Sequence, residues 1–275
     1  MIFPLAYNII DAYFYTMSDT VLLRKENGVG YITFNRPDKY NSFNREMALA
    51  LQGHLDNCAA DENVRCIYIT GNGKGFCAGQ DLAETPDPNK VDFDKIVSEH
   101  YNPVIQRLRD IEKPIVAAVN GVAAGAGANI ALACDIVVAT KSASFIQAFS
   151  KIGLIPDSAG TFFLPRYIGM QKAAALMMLG DKVMADEAAA MGMIYKAFAD
   201  ESFEADSKQL AQTLATMPTK GIGLTKRLLN QSYSNNLDQQ LELEKQVQVE
   251  AGNTEDFVEG VNAFLEKRKP AFKGK

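Results

Sequence analysis

Twice along this chain a short apolar run that reads as a buried strand is followed by a turn of glycine and alanine. Cys66-Ile67-Tyr68-Ile69-Thr70 precedes Gly75-Phe76-Cys77-Ala78-Gly79-Gln80-Asp81. Pro114-Ile115-Val116-Ala117-Ala118-Val119 precedes Gly121-Val122-Ala123-Ala124-Gly125-Ala126-Gly127-Ala128-Asn129. The second turn leads straight into a helical pattern at Ile130-Ala131-Leu132-Ala133. Small side chains leave main-chain N–H groups open to a ligand. A helix start adds unpaired donors and a partial positive charge. Two such turns, brought together, can aim two N–H groups at one developing negative oxygen, which is the physics of an oxyanion hole.

The rest of the chain sets the frame. Val29–Phe34 alternates as a strand that Asn35-Arg36-Pro37 ends. Glu46–Ala60 has helical spacing, with Met47, Leu51 and Leu55 on one face. Further strands are expected at Cys66–Thr70, Ile115–Val119 and Ile136–Ala139, an alternation that argues a sheet with helical crossovers. From residue 172 onward the pattern is helical: Lys172–Leu179, Asp186–Met191, Phe203–Met217, Thr219–Ser232, Leu237–Gln248 and Thr254–Lys267. Thr85-Pro86-Asp87-Pro88-Asn89 is the clearest loop. The stretch from Ala83 to about Asp94 is expected to be mobile and to border a substrate tunnel, or else to be a plain surface loop.

Bulk properties exclude several functions. The 275 residues are 47% hydrophobic and 22% charged, with a net charge of −5, as for a single large globular domain or a core with a helical appendage. The acidic balance argues against a nucleic-acid partner. Met1–Tyr15 is aromatic and apolar, but it lacks both a basic flank and a long apolar core, so it fits neither a secretory signal nor a membrane span. Residues 1–16 are expected to be an extension or an over-called start.

Cys58, Cys66, Cys77 and Cys134 have no metal-type spacing and are expected to be reduced and buried, in a cytoplasmic protein. The two histidines, His54 and His100, fit a surface or core role better than metal ligation. No nucleophile elbow or Walker loop is present. Gly71-Asn72-Gly73-Lys74-Gly75-Phe76 is a partial dinucleotide fingerprint, but Phe76 stands where a third small residue belongs and the usual β-α-β context is missing.

Further motifs run in order through the chain: Asn35-Arg36-Pro37 with Asn41-Ser42-Phe43, Lys113-Pro114, Cys134-Asp135-Ile136, Ala148-Phe149-Ser150-Lys151-Ile152-Gly153-Leu154-Ile155-Pro156-Asp157, and Phe264-Leu265-Glu266-Lys267-Arg268-Lys269-Pro270. Together with the two turns, they resemble the crotonase superfamily, also called the enoyl-CoA hydratase/isomerase family, from about Thr20 to the C-terminus. The resemblance implies an α/β fold, a spiral of ββα units over residues 17–200 with a helical trimerisation region over 201–275. It implies an acyl-CoA substrate, no metal and no cofactor apart from the CoA carried by the substrate. It also implies a homotrimer, or a hexamer made as a dimer of trimers, with no nucleic-acid or membrane partner. Within the family, the two turns and the Phe149–Asp157 segment look most like isomerases of ring-epoxidised phenylacetyl-CoA.

Removing a proton next to a thioester carbonyl generates an enolate, and each fixed N–H donor on its oxygen contributes about 3 kcal/mol to the transition state. The resemblance assigns those donors to Ala78 and Ala126. Hydratases of the family use two glutamates, and this chain has Asn129 at the first of those positions and Phe149 at the second. Neither carries a proton at neutral pH, which argues against simple hydration. Asp157 remains as the acid/base, raised in pKa by its apolar surroundings. The plain alternative is a turn or N-cap aspartate.

Phe76, Gly79 and Gln80, with Asn129 and Phe149, are expected to border the substrate. Phe43, Phe76 and Phe149 either line an aromatic-sized pocket or pack the core. Arg36, Lys39, Lys267 and Arg268 are candidates for the CoA phosphates. Phe264 and Lys267 are candidates for covering CoA, from the same subunit or a neighbour. Asp81 either fixes the turn or meets the adenine. The alternatives are a Δ3,Δ2-enoyl-CoA isomerase, an enoyl-CoA hydratase, and a non-catalytic scaffold of the same fold.

Overall fold

Asn27 and Gly28 both take positive φ, 50° and 79°, and close a tight hairpin between Val21–Glu26 (β1) and Val29–Phe34 (β2). This is the Asn-Gly turn whose twist matches that of the strands it joins. The computed structural model describes residues 18–84 and 87–275. The expected extension at residues 1–16 lies outside the described residues, as do Thr85 and Pro86 of the expected mobile loop. The flanks of that loop form short 3-10 turns at Leu82–Glu84 and Pro88–Lys90.

After the hairpin the chain repeats one unit. A long strand enters a first sheet, a corner follows, and a short strand enters a second sheet. Cys66–Gly71 (β3) is followed by Gly75–Cys77 (β4), Ile115–Val119 (β5) by Val122–Ala124 (β6), and Ile136–Thr140 (β7) by Ser144–Ile146 (β8). The long strands, with Lys196–Phe198 (β10) at one edge, make a six-stranded sheet in the order β1-β2-β3-β5-β7-β10. The short ones, with Lys182–Met184 (β9), make a four-stranded sheet in the order β4-β6-β8-β9. Every neighbouring pair is parallel except β1 with β2 and β8 with β9. The corners need glycine. A Cβ on Gly121 would lie 2.1 Å from the Lys74 carbonyl oxygen, and one on Gly71 would lie 2.4 Å from that of Gly75.

The central strands of the large sheet are buried on both faces, so they read as nearly continuous apolar runs. Ile32, Phe34, Ile67, Ile69, Ile115 and Ala117 face the main core. There they meet the buried side of Arg45–Ala60 (α1), whose N-terminus is capped by Asn44 accepting the Met47 N–H at 3.0 Å. Asn102–Asp110 (α2) and Ala126–Leu132 (α3) complete that layer. Val29, Tyr31, Cys66, Tyr68, Val116 and Val138 face the other way, against Phe203–Ala215. The region from residue 201 therefore begins on the sheet itself.

The helices expected after residue 172 are present, with two strands between them. Met170–Leu179 (α5), following Gly160–Ile168 (α4), leads to β9 at Lys182–Met184. Ala185–Ala190 (α6) leads to β10 at Lys196–Phe198, which closes the large sheet against β7. An all-helical reading of this stretch is thus corrected, since three-residue strands are too short to show a period of two. Phe203–Ala215 (α7), Thr219–Ser232 (α8), Leu237–Gly252 (α9) and Glu255–Leu265 (α10) follow. The α8 helix docks through Lys226, 5% exposed, which pairs with Asp135 at 2.8 Å.

Candidate active site

The two small-residue turns meet. A methyl group on Gly79 would sit 3.0 Å from the Ala124 carbonyl oxygen and 3.7 Å from the Ala126 nitrogen. Gly125, at φ 52°, precedes α3 and donates its own N–H to the Ile146 carbonyl at 2.9 Å. Ala126 is the first residue of that helix, where N–H groups have no acceptor within the helix.

On the other turn, strand pairing decides which donor is free. Ala78 donates its N–H to the Tyr40 carbonyl at 3.0 Å. Phe43 bridges Gln80 in parallel: its N–H donates to the Gly79 carbonyl at 2.7 Å, and its carbonyl accepts from Asp81 at 2.8 Å. That pairing turns the Gln80 N–H away from Phe43, and among the described residues it has no acceptor. The expectation that Ala78 supplies the donor is therefore corrected: the open N–H lies two residues on, at Gln80.

The Gln80 side chain is held as well. Its Oε1 accepts from the Tyr101 hydroxyl at 2.5 Å and its Nε2 donates to Glu84 at 3.0 Å. Tyr101 ends a π-helical turn, Ile96–Tyr101, a local irregularity often found at functional sites. Its hydroxyl is held well above its ordinary pKa by burial, then by Cys77, Asp157 and Glu84. The charge of Asp157 thus reaches Tyr101, which in turn touches Gln80. Nothing in the spacing around Tyr101 announced that role; it depends on packing between segments distant in sequence.

Asp157 is partly buried, and burial raises its pKa from the ordinary carboxylate range to about 6, against the opposing effect of the Ser158 hydroxyl, which donates to Oδ1 at 2.9 Å. Its main-chain carbonyl accepts from the Asn129 side chain at 2.8 Å. Asn129 lies on α3, three residues after Ala126, and is 1% exposed. Phe149, 7% exposed, brings its ring to 3.7 Å from where a Cβ on Gly125 would stand. The structure therefore gathers Gly79, Gln80, Ala126, Asn129, Phe149 and Asp157 around one place.

Other expected residues go elsewhere. Phe76 and Phe43 are fully buried and pack edge-on against Phe34 at 5.3 and 5.5 Å, so they belong to the core and not to a pocket wall. Arg36 is committed to Asp81 at 2.7 Å and to the Ser42 carbonyl at 2.6 Å, which leaves it poorly placed to bind phosphate. Asp81 also accepts the Ala83 N–H at 3.1 Å, so it fixes the turn. Lys39 is exposed. Phe264, 81% exposed, lines an apolar groove with Phe257, Val261 and Phe272, formed within the C-terminal helices and tail. Lys267 follows it at φ 56°, and Arg268 pairs with Glu259 at 2.6 Å. Among the described residues, neither Phe264 nor Lys267 has a hydrogen bond or ion pair to the two turns. Burial pushes the Cys77 thiol up to about 12, which makes it inert.

Known proteins resemble this chain over most of its length. The profile described as Enoyl-CoA hydratase/isomerase matches residues 24–275. The chain is 47% identical over 262 residues to the 1,2-epoxyphenylacetyl-CoA isomerase of Escherichia coli (strain K12), covering 94% of this chain and 100% of that protein. It is 35% identical over 260 residues to the trans-2-decenoyl-(acyl-carrier-protein) isomerase of Streptococcus mutans, covering 93% and 98%. The crystal structure of an enoyl-CoA hydratase from Polaromonas sp. JS666 superposes with a TM-score of 0.86 at 30% identity, covering 92% of this chain and 99% of that one.

Proposed function

The chain belongs to the enoyl-CoA hydratase/isomerase family, and from that premise we propose that it isomerises an acyl-CoA thioester through an enolate, with ring-1,2-epoxyphenylacetyl-CoA as substrate and an oxepin-CoA as product. The observation that carries this reading is Asp157: one partly buried carboxylate whose turn is tied by Asn129 to the helix that Ala126 begins, its pKa raised to about 6 by that burial. Asn129 and Phe149, which carry no proton at neutral pH, stand beside it.

An isomerisation neither gains nor loses atoms. A single carboxylate that takes a proton from one carbon and returns it to another is then enough. As the proton leaves, charge moves to the thioester oxygen, where the N–H groups of Gln80 and Ala126 hold it, each contributing about 3 kcal/mol. For the epoxide, the electron-rich thioester enolate steers ring opening and expansion while Asp157 manages the protons. The same apparatus would shift a 3,4 double bond to the 2,3 position.

We read the reaction as needing no cofactor beyond the CoA of the substrate. Lys39 remains the candidate for a CoA phosphate. Phe264 and Lys267 fit a role in covering CoA on a neighbouring subunit. Exposed Met170, Met178, Leu237, Leu241 and Phe257 support a homotrimer or a dimer of trimers. Among the described residues no helix is long and apolar enough to cross a membrane. Four unpaired, buried thiols support a cytoplasmic location.

The test is a panel of ring-epoxidised phenylacetyl-CoA, a 3-enoyl-CoA and a 2-enoyl-CoA. Turnover of the first without hydration of the last is expected. Fast hydration of the 2-enoyl ester, with the other two untouched, would overturn the isomerase reading. Replacement of Asp157 by Asn is expected to abolish turnover while ester binding persists; unchanged turnover would mean that a different base acts, and binding without turnover in the wild type would leave only a scaffold.

A further inference from the structure

Resting on the assignment of Asp157 as proton carrier, we propose that Asn129 is a positioning residue, whose amide clamps the Asp157 turn onto α3 and thereby sets where the carboxylate points. The turn needs an external hold. Ser158 and Ala159 are both in the left-handed region, at φ 50° and 59°, and neither is glycine. Such backbone persists only where surrounding contacts enforce it. The Asp157 carbonyl receives two of those contacts, the Gly160 N–H at 2.9 Å and the Asn129 Nδ2 at 2.8 Å.

The orientation of the clamp is dictated by its partners. Only the NH2 end of Asn129 can face a carbonyl oxygen, so its Oδ1 must face the other way. There it accepts from the Gln147 Nε2 at 2.7 Å. Gln147 is 2% exposed, and its remaining oxygen, Oε1, is buried with no hydrogen-bond partner among the described residues. A buried acceptor without a donor is costly. Rotating the Gln147 amide would not help, because two oxygens would then face each other across the pair. The unpaired oxygen is thus the consequence of holding Asn129 with its donor toward Asp157. Gly160 makes room for the clamp: a Cβ there would lie 2.3 Å from the Asn129 Nδ2.

The consequence is geometric. The clamp ties the carboxylate-bearing turn to the same helix whose first residue, Ala126, offers the oxyanion donor. Proton carrier and donor then keep a fixed relation, and misplacement by about 1 Å is enough to cost a reaction on the order of a hundredfold. The groups that face the carboxylate are the Ser158 hydroxyl and, further off, Tyr101. Tyr101 and neighbouring Cys77 are both kept protonated by burial, and Asn129 and Gln147 are neutral. Titration at this turn is therefore that of Asp157 itself.

Two variants approach the clamp from opposite sides. Asn129→Ala removes the donor. Gly160→Ala keeps it and pushes it aside, at a position whose backbone tolerates alanine. Each is expected to lower kcat on the order of tenfold to a hundredfold with KM changed less than about threefold. In each, the acid limb of the kcat profile is expected to move from about 6 toward the ordinary carboxylate range, as the released turn becomes solvated. Because both act on one contact, the double variant is expected to be no slower than Asn129→Ala alone.

A wild-type kcat and acid limb in Asn129→Ala, with Asp157→Asn inactive, would overturn the clamp and leave the Asp157 assignment standing. An active Asp157→Asn would overturn that assignment instead. Lowered thermal stability with an unmoved acid limb, or additive losses in the double variant, would mean that Asn129 is merely structural and would also overturn the clamp. If Asn129→Ala does not fold, Gly160→Ala decides alone: the wild-type rate and limb in it would overturn the proposal.

Discussion

The hydroxyl of Tyr101 donates to the side-chain Oε1 of Gln80 at 2.5 Å, and the main-chain N–H of that same Gln80 is left without an acceptor among the described residues. A buried ring on a π-helical turn thus tethers the residue whose main-chain N–H is open. Replacing Tyr101 by Phe removes the tether and keeps the ring. A typical hydrogen bond contributes about 1 kcal/mol, so kcat/KM is expected to fall about fivefold with little change in melting temperature. Steady-state kinetics with a thermal shift measurement checks this; an unchanged kcat/KM would show that Gln80 holds its place without Tyr101.

Asp157 must be ionised to accept a proton. With its pKa raised to about 6 by burial, the rate should be maximal above that value and fall as pH drops through it. Initial rates across the acid range check the sign and the position. An acid limb in the ordinary carboxylate range would mean that the carboxylate is solvated when it works.

The same shift affects stability. The folded-state pKa lies above the unfolded value of 3.8, so the folded protein binds more protons between 3.8 and about 6. Stability therefore falls as pH rises through that window, and above it the charged carboxylate costs about 2 to 3 kcal/mol. Asp157→Asn should be more stable than the wild type by up to that amount at about pH 8, and the gain should vanish at about pH 3. Denaturant titrations at the two pH values test it, and a neutral-pH loss in stability would contradict the burial argument.

Arg36 and Asp81 form an ion pair with side chains 19% and 12% exposed. Removing one partner leaves the other charge half buried. Arg36→Ala is expected to destabilise the fold by about 2 kcal/mol. It should not change the preference for a CoA ester over its dephospho-CoA counterpart. A selective loss of affinity for the phosphorylated ester would restore Arg36 as a phosphate ligand.

Long, patterned elements were legible in the sequence because their signal is local. Val29–Phe34 and Thr219–Ser232 form over the expected residues. The helix expected at Glu46 begins one residue earlier, at Arg45. The Asn27-Gly28 hairpin carried a readable signal that the strand assignment did not use. The short strands β9 and β10 carried none, since three residues pair only because β8 and β7 are already there. Phe76 was ambiguous by nature: an aromatic residue beside a turn reads the same whether it lines a pocket or, as here, packs against Phe34.

By itself the sequence determined the corners, the small-residue turns and the lone aspartate, because these depend on residue type: only glycine fits where Gly121 passes the Lys74 carbonyl, and Asp157 is the only carboxylate in its segment. Which main-chain donor is open was decided by tertiary structure. Phe43 pairs with Gln80 across the fold, and Tyr40 takes the N–H of Ala78. Backbone donors look alike in a sequence, and only a distant partner's hydrogen bonds distinguish the one that is occupied from the one that is free.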